Sequence, residues 1–304
     1  MRYRPFGNNG FDVSEIGFGA NTISGRGTYG YVDEADGVAA VRRARELGIT
    51  LFDTAEGYSE GRSEEVLGKV LGNDPNVVVC TKVGGYAGPI EGPARIRRSA
   101  EQSLRRLRRD AIDIYLLHNP PDDQIASAEL QAELTRLKDE GKVRAFGVSV
   151  PHRDEPRLLS LVVAHPAYTA VELSLNLLDQ ANVPVLPRLR QAGLGVIARM
   201  PLASGLLGGK YGPGATFPPG DARDGSLLKA DQIARDLAKM PELQRRAEAD
   251  GLSLVHAALA WVLGHAAVSS AVAGAKRPWQ VESNAAASGI ALSEAFRRHA
   301  ATLA

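Results

Sequence analysis

The sequence predicts an α/β fold: a (β/α)8 TIM barrel preceded by an N-terminal β-hairpin and carrying extra helices near its C-terminus. Three observations lead there, namely eight short apolar runs, amphipathic helical patterns between them, and a length of 304 residues that one such barrel fills. Several runs are apolar on both faces, as in Val77-Val-Val-Cys80 and Ile112-Asp-Ile-Tyr-Leu-Leu117. That is the mark of parallel strands packed inside and covered by helices outside.

In chain order, residues 3–13 read as a hairpin with Gly7-Asn-Asn-Gly10 as its turn. The first barrel strand is expected at 14–19, and Val38, Val41, Ala44, Arg45 and Leu47 then mark a helix that stops at Gly48. Strands follow at 50–53 and 77–81. Ile96, Ala100, Leu104, Leu107 and Ala111, spaced by three and four, form a helix ahead of a strand at 112–117. Further strands read at 144–149, 169–173 and 195–198, and the eighth at 268–272 comes after a longer gap. The first part of that gap, from Gly205 through Pro218-Pro-Gly220, is rich in glycine and proline and reads as a loop. Helical patterns follow at 229–249 and 253–264. A linker between two domains would leave the eighth strand without partners, so residues 1–304 are read as one domain.

Lysine plus arginine total 36 against 35 aspartate plus glutamate, which leaves no basic field for nucleic acid or a membrane surface. A small-molecule partner is expected, with oligomeric state left open. One cysteine, Cys80, excludes an intramolecular disulfide and a cysteine-cluster metal site, and fits a reducing compartment. The start Met1-Arg-Tyr-Arg-Pro-Phe-Gly7 lacks an apolar leader, and no run approaches the roughly 18 apolar residues of a membrane span. The expectation is a cytoplasmic protein. Seven arginines between Arg95 and Arg109 lie mostly off the apolar stripe of their helix, as a solvated face would. Gly25-Arg-Gly-Thr-Tyr-Gly30 spells a dinucleotide fingerprint, but it neither follows its strand directly nor opens a helix.

The C-terminal ends of barrel strands form the rim on which chemistry is built. The second strand ends in Asp53, with Tyr58 in the loop beyond, while Lys82 follows the third and His118 the fourth. Singly these read as a helix cap, a solvated strand end and a core histidine. Together, three successive strands deliver an ionisable side chain to one rim beside a phenol. The quartet makes an acid. A phenol titrates at about 10 in isolation and an adjacent ammonium lowers it, so Lys82 is expected to acidify Tyr58. Asp53 is placed to hold Lys82, and His118 to hydrogen-bond a substrate oxygen. The chain shows no nucleophile elbow, reactive cysteine or metal cluster, so a reduced nicotinamide is the expected hydride source.

Asp53-Thr-Ala-Glu-Gly-Tyr58, Gly61-Arg-Ser-Glu-Glu-Val-Leu-Gly68, Thr81-Lys82, Leu116-Leu-His118 and Gly147-Val-Ser149 resemble, in this order, the signatures of the aldo-keto reductase family. The likeness is to bacterial, long-chain members near the potassium-channel beta-subunit-like branches, and it spans nearly the whole chain. It implies that Asp53, Tyr58, Lys82 and His118 form a catalytic tetrad. It further implies NADPH-dependent reduction of an aldehyde or ketone carbonyl to an alcohol, with hydride from nicotinamide and the proton from Tyr58. Two other readings stay open: an NAD-linked sugar or alcohol dehydrogenase working oxidatively, and a non-catalytic nicotinamide-sensing regulatory subunit.

The resemblance also implies a dinucleotide bound across the later strands without a Rossmann fold. Ser149 matches a carboxamide contact, with Pro151 and His152 near the place where many members have an asparagine. Glu172 stands where the sixth strand usually offers a glutamine, with Asn176 further along; a carboxylate accepts from an amide but cannot donate to it. The seventh strand ends in Arg199-Met-Pro201-Leu202 where an aromatic residue usually stacks, and arginine too has a flat face. Ser204, Gly205, Leu206 and Lys210 match the loop that folds over the pyrophosphate, its glycines giving it freedom to open. Gly274, Lys276, Arg277, Gln280 and Asn284 match the adenosine-phosphate segment, where cations ahead of a helix starting near Pro278 suit a phosphate. Gln280 takes the place of an arginine found in NADPH users. The expected cofactor is NADP(H), with NAD(H) also admitted. Substrate choice is assigned to the loops 21–31, 83–91 and 119–124.

Overall fold

The computed structural model describes residues 1–303 apart from Ser24, Thr28, Arg153, Gly220, Ala222 and 225–228. Eight parallel strands close into a barrel: β1 (Ile16–Gly19), β2 (Leu51–Asp53), β3 (Val78–Gly84), β4 (Ile112–His118), β5 (Val143–Ser149), β6 (Ala170–Ser174), β7 (Gly195–Arg199) and β8 (Ser270–Gly274). Each pairs with its neighbours in sequence, and β8 pairs with β1 to seal the ring. Around it run α1 (Glu34–Glu46), α2 (Arg62–Leu71), α3 (Pro93–Leu107), α4 (Ala128–Asp139), α5 (Glu155–Val163), α6 (Leu186–Gln191), α7 (Leu254–Leu263) and α8 (Pro278–Ala285). The extra helices are Ala230–Ala249 before α7 and Glu294–Ala301 at the end.

Strand alternation divides each strand between two cores. Leu51, Val78, Cys80, Ile114, Leu116, Ala145, Ala170 and Ile197 fill the barrel, while Phe52, Val79, Val83, Tyr115, Leu117, Phe146, Val171 and Val196 face the helices. Both faces are therefore apolar, as the sequence predicts. Several strands run one to three residues beyond the expected ends, so Lys82, His118 and Arg199 lie within strands. The apolar runs stop at these polar residues, but the hydrogen-bond ladder continues through them. At the other end β1 starts later than expected, because Ser14 belongs to the hairpin and its hydroxyl donates to the oxygen of Ile16 at 2.7 Å.

The hairpin strands Tyr3–Pro5 and Asp12–Ser14 pair antiparallel and floor the barrel. Phe6, at the hairpin turn, is fully buried among the interior side chains. It needs Gly195 at the start of β7, where an added Cβ would stand 2.4 Å from its ring. Asn9 Nδ2 donates to the oxygen of Thr169, just before β6, at 2.9 Å. With this end plugged, the opposite, C-terminal mouth is the open one.

The Gly25-to-Gly30 fingerprint lies in a short antiparallel pair, Gly25–Gly27 with Gly30–Val32, and α1 starts only after Asp33, whose side chain caps it at 2.8 Å. The arginines of α3 are more engaged than a solvated face implies. Arg95 pairs with Glu56, Arg97 with Glu133 and Glu140, and Arg106 with Glu64, at 2.6–2.8 Å. Cys80 and Trp261 are buried. Gly220 in the glycine-rich loop and Ser24 and Thr28 in the loop after β1 lie outside the described residues. Among the described residues no helix is long and apolar enough to cross a membrane.

Candidate active site

The alternation that fills the barrel also aims its upper side chains. Asp53, Lys82 and His118 continue the inward rows that pass through Leu51, Cys80 and Leu116, and converge at the mouth. Lys82, 1% exposed, donates to Asp53 Oδ1 at 2.5 Å and to the oxygen of Thr54 at 2.9 Å. The Tyr58 ring centroid lies 5.3 Å from the Lys82 ammonium and 5.8 Å from the His118 ring. Beyond Tyr58 the chain bends sharply, with Ser59 and Glu60 both at positive φ. Such conformations cost a non-glycine residue about 1–3 kcal/mol and gather at functional sites. Tyr86 covers His118 from the exposed side, edge to face at 5.5 Å.

Burial dominates the electrostatics here. It pushes the Tyr58 phenol upward against the opposing charges of Lys82 and Arg199, while Asp53 and Glu172 add to the rise. The expected net acidification is thus reversed: Lys82 offsets part of the desolvation without overcoming it. His118 is driven down to about 3 by burial, Lys82 and Arg199, and stays a neutral imidazole. Lys82 itself is held well above its usual range because Asp53 and Glu172 outweigh the burial that opposes its charge. The Asp53 carboxyl is pushed up to about 7, by burial first and by Glu172 second.

The later strands bring the second half of the site to the same level. His118, Ser149 and Glu172 are register partners across β4, β5 and β6. Glu172 places Oε2 3.3 Å from the Lys82 ammonium. Arg199 is clamped through Nη2 to Glu155 Oε1 and the oxygen of Val150, both at 2.9 Å. Glu155 in turn accepts the Ser174 N–H at 2.9 Å and the Asn182 amide at 2.6 Å.

Past β7 the loop turns through Met200, Ala203, Ser204 and Gly205, all at positive φ. Its Ser204 hydroxyl accepts from Tyr29 at 2.9 Å, and Lys276 donates to the Tyr29 backbone oxygen. Arg223 packs its guanidinium over Tyr29, Tyr211 and Phe217 and pairs with Asp221 at 2.7 Å. Lys276 is lowered by burial and by the nearby charges of Arg223 and Lys210. Cations are in excess on this side of the mouth.

A family model described as the Aldo/keto reductase family matches residues 15–299. The chain belongs to the aldo-keto reductase family. As such it is an NAD(P)H-dependent oxidoreductase. Among its relatives, L-galactose dehydrogenase of Arabidopsis thaliana is 33% identical over 94% of this chain and 88% of that protein. The NADH-specific methylglyoxal reductase of Escherichia coli is 31% identical over 97% of this chain and 96% of that one. A solved aldo-keto reductase of Klebsiella pneumoniae, in complex with NADP and acetate, superposes with a TM-score of 0.76 at 28% identity, covering 100% of this chain and 95% of that one.

In this reductase the structure brings Asp53, Tyr58, Lys82, His118, Ser149, Glu172 and Arg199 to one mouth. Other expected contacts are engaged internally. Asn176 accepts from the N–H groups of Leu178 and Asp179 at 2.9 and 3.0 Å and donates to the Met200 oxygen at 3.1 Å, building a turn. Pro201 and Leu206 are buried, Leu202 and Gly205 are half-buried, and Lys210 is exposed. Gly274 ends β8, where a Cβ would meet Asn21 Oδ1 and the Gly19 oxygen at 3.9 Å, and Asn284 donates to its oxygen at 3.5 Å. Arg277 reaches Asp36 on α1, and Gln280 turns back onto the start of its own helix. Tyr29, Tyr86, Glu155 and Arg223 have roles here that sequence reasoning missed. Only Tyr29 and Tyr86 left a signal, as large side chains in loops expected to line the substrate space.

Proposed function

We propose that this single barrel domain, spanning residues 1–304, reduces an aldehyde or ketone carbonyl to an alcohol. NADP(H) is the preferred cofactor and NAD(H) a second one. The observation that carries the reading is the convergence of Lys82, Asp53, Tyr58 and a neutral His118 at one mouth. When bound, the cofactor supplies the hydride. The residues present fit such a group: Glu172 Oε2, Arg199 Nε and His118 Nδ1 are buried without hydrogen-bond partners among the described residues, and the cation excess around Lys276 suits a diphosphate. The NADP-bound Klebsiella structure supports the same choice.

Tyr58 stays a protonated phenol across the working pH range and gives its proton as negative charge develops on the substrate oxygen. Lys82 stabilises the phenolate left behind, and Asp53 fixes the ammonium in place. Neutral His118 donates a hydrogen bond to the same oxygen without competing as an acid. Ser149 and Glu172 would hold the cofactor amide, and Arg199 would offer its clamped guanidinium plane to the nicotinamide. Ser204, Gly205, Leu206 and Lys210 would hold the diphosphate, in a loop that Asn176 ties down at Met200 and that Pro201 and Leu202 help shape. Gly274, Lys276, Arg277 and Asn284 would hold the adenosine end.

A panel of small carbonyls with NADPH tests this. Wild type is expected to turn over at least one, and Tyr58→Phe to lose about a hundredfold or more while still binding NADPH. Equal inertness of both proteins overturns the reading. The oxidative, NAD-linked alternative draws on Gln280, which offers no cation beside the adenosine ribose, and on the NADH-specific relative. A strong preference for NAD+ in binding titrations would favour it.

A further inference from the structure

The ammonium of Lys82 serves two buried carboxylates. Asp53 holds it at 2.5 Å from β2 and Glu172 lies 3.3 Å away from β6, with Lys82 1%, Asp53 4% and Glu172 2% exposed. Asp53 has a full hydrogen bond to it, whereas Glu172 Oε2 has none from any group among the described residues. The nearby cation of β7, half-buried Arg199, is committed elsewhere, since it pairs with Glu155 at 2.9 Å.

The remaining groups that face the cluster cannot balance it. Cys80 on β3 is a thiol pushed up by burial, His118 on β4 is neutral, and Tyr58 is a neutral phenol. The inward positions of β1 and β8, Gly17, Gly19, Ser270 and Gly274, carry no charge, and neither do Gly147 and Ser149 on β5. Two carboxylates and one ammonium sum to one negative charge in a buried cluster, where like charges resist ionising together. Binding one proton brings the trio to neutrality. This agrees with the Asp53 carboxyl being pushed up to about 7 by burial and Glu172.

We propose that Glu172 is a positioning residue for the proton donor: by sharing Lys82 with Asp53 it makes the acid strength of Tyr58 depend on whether the Asp53 carboxyl holds its proton. With the proton bound, Lys82 faces a net single carboxylate and favours phenolate. Once Asp53 releases that proton to solvent, the extra negative charge disfavours phenolate, and Tyr58 becomes a weaker donor to the substrate oxygen. Carbonyl reduction therefore declines as pH rises through the titration of Asp53. A glutamine at position 172 would leave Asp53 and Lys82 as a neutral ion pair with no such transition.

The proposal rests on Tyr58 as proton donor, and its test separates the two. In cofactor-free protein, tyrosinate absorbance is titrated for wild type and Glu172→Gln, each with and without Tyr58→Phe to assign the Tyr58 component. That component is expected about one pH unit or more lower in Glu172→Gln, about tenfold in acidity. In turnover, the descending limb that the kcat/KM profile of wild type shows for NADPH-dependent carbonyl reduction is lost in Glu172→Gln. An infrared band of a protonated carboxyl group, present in wild type near neutrality and lost at higher pH, is absent in Glu172→Gln. This last measurement reads the pair in wild type itself. Unchanged Tyr58 titration and an unchanged descending limb overturn the proposal. If wild type reduces no carbonyl while the titration still shifts, the coupling stands and the reductase reading falls.

Discussion

Gln280 and Lys276 are tied to each other at the entrance of α8: the Gln280 amide oxygen accepts the Lys276 backbone N–H at 2.8 Å and that of Arg277 at 3.1 Å. The side chain at this position thus works as a helix cap, and Arg277 beside it pairs with Asp36. Gln280→Ala should remove the cap and lower stability by about 1 kcal/mol, read by urea denaturation. Gln280→Arg should lose the same cap yet tighten NADPH relative to NADH by roughly tenfold, since a hydrogen bond to a charged phosphate contributes about 1.5–3 kcal/mol. Fluorescence titration with both cofactors reads this, and an unchanged ratio argues against Gln280 facing the ribose phosphate.

Lys82→Met should be among the most damaging single changes. It leaves Asp53 and Glu172 buried without their shared cation, and breaking a buried ion pair costs about 3–5 kcal/mol. Pairing it with Glu172→Gln should recover part of the lost stability but not the activity, because the phenolate still lacks its ammonium. Denaturation midpoints and kcat for the single and double variants check both halves.

His118 gives stability a pH slope with a definite sign. Its folded-state value lies at about 3, depressed from 6.5, so the unfolded chain binds a proton that the folded chain refuses. Stability from this group is complete above about pH 6.5 and declines by up to about 1.4 kcal/mol per pH unit below it. His118→Gln should flatten that decline. The comparison with the variant isolates the residue from Asp53, whose raised value works in the opposite sense.

Gly195→Ala should destabilise by about 1–3 kcal/mol, because its methyl group would overlap the Phe6 ring at the barrel floor. In a Phe6→Leu background most of that penalty should vanish, as expected of directly touching sites. Equal penalties in the two backgrounds would mean that the floor yields elsewhere.

Much of this architecture was written in alternation and order. Leu51 and Asp53, Cys80 and Lys82, and Leu116 and His118 share faces because strands repeat every two residues, so the inward row through the core also names the residues of the mouth. Strand ends were harder to read. Lys82 and His118 are polar, and apolar patterning stops where they begin although the ladder does not. The direction of the Tyr58 shift was also illegible, since it depends on how deeply the phenol lies. Glu155 and Arg223 had no sequence signal because their partners, Arg199 in one case and Tyr29, Tyr211 and Phe217 in the other, are chosen by loop paths.

The floor of the barrel also constrains how the chain comes together. Asn9 and Thr169 are joined across 160 positions, and Phe6 meets its glycine on β7, so the hairpin is seated only against the second half of the barrel. Contacts so distant along the chain slow folding, and until they form the interior lies open from below. The N-terminal hairpin can therefore stopper the barrel only after β6 and β7 have taken their places.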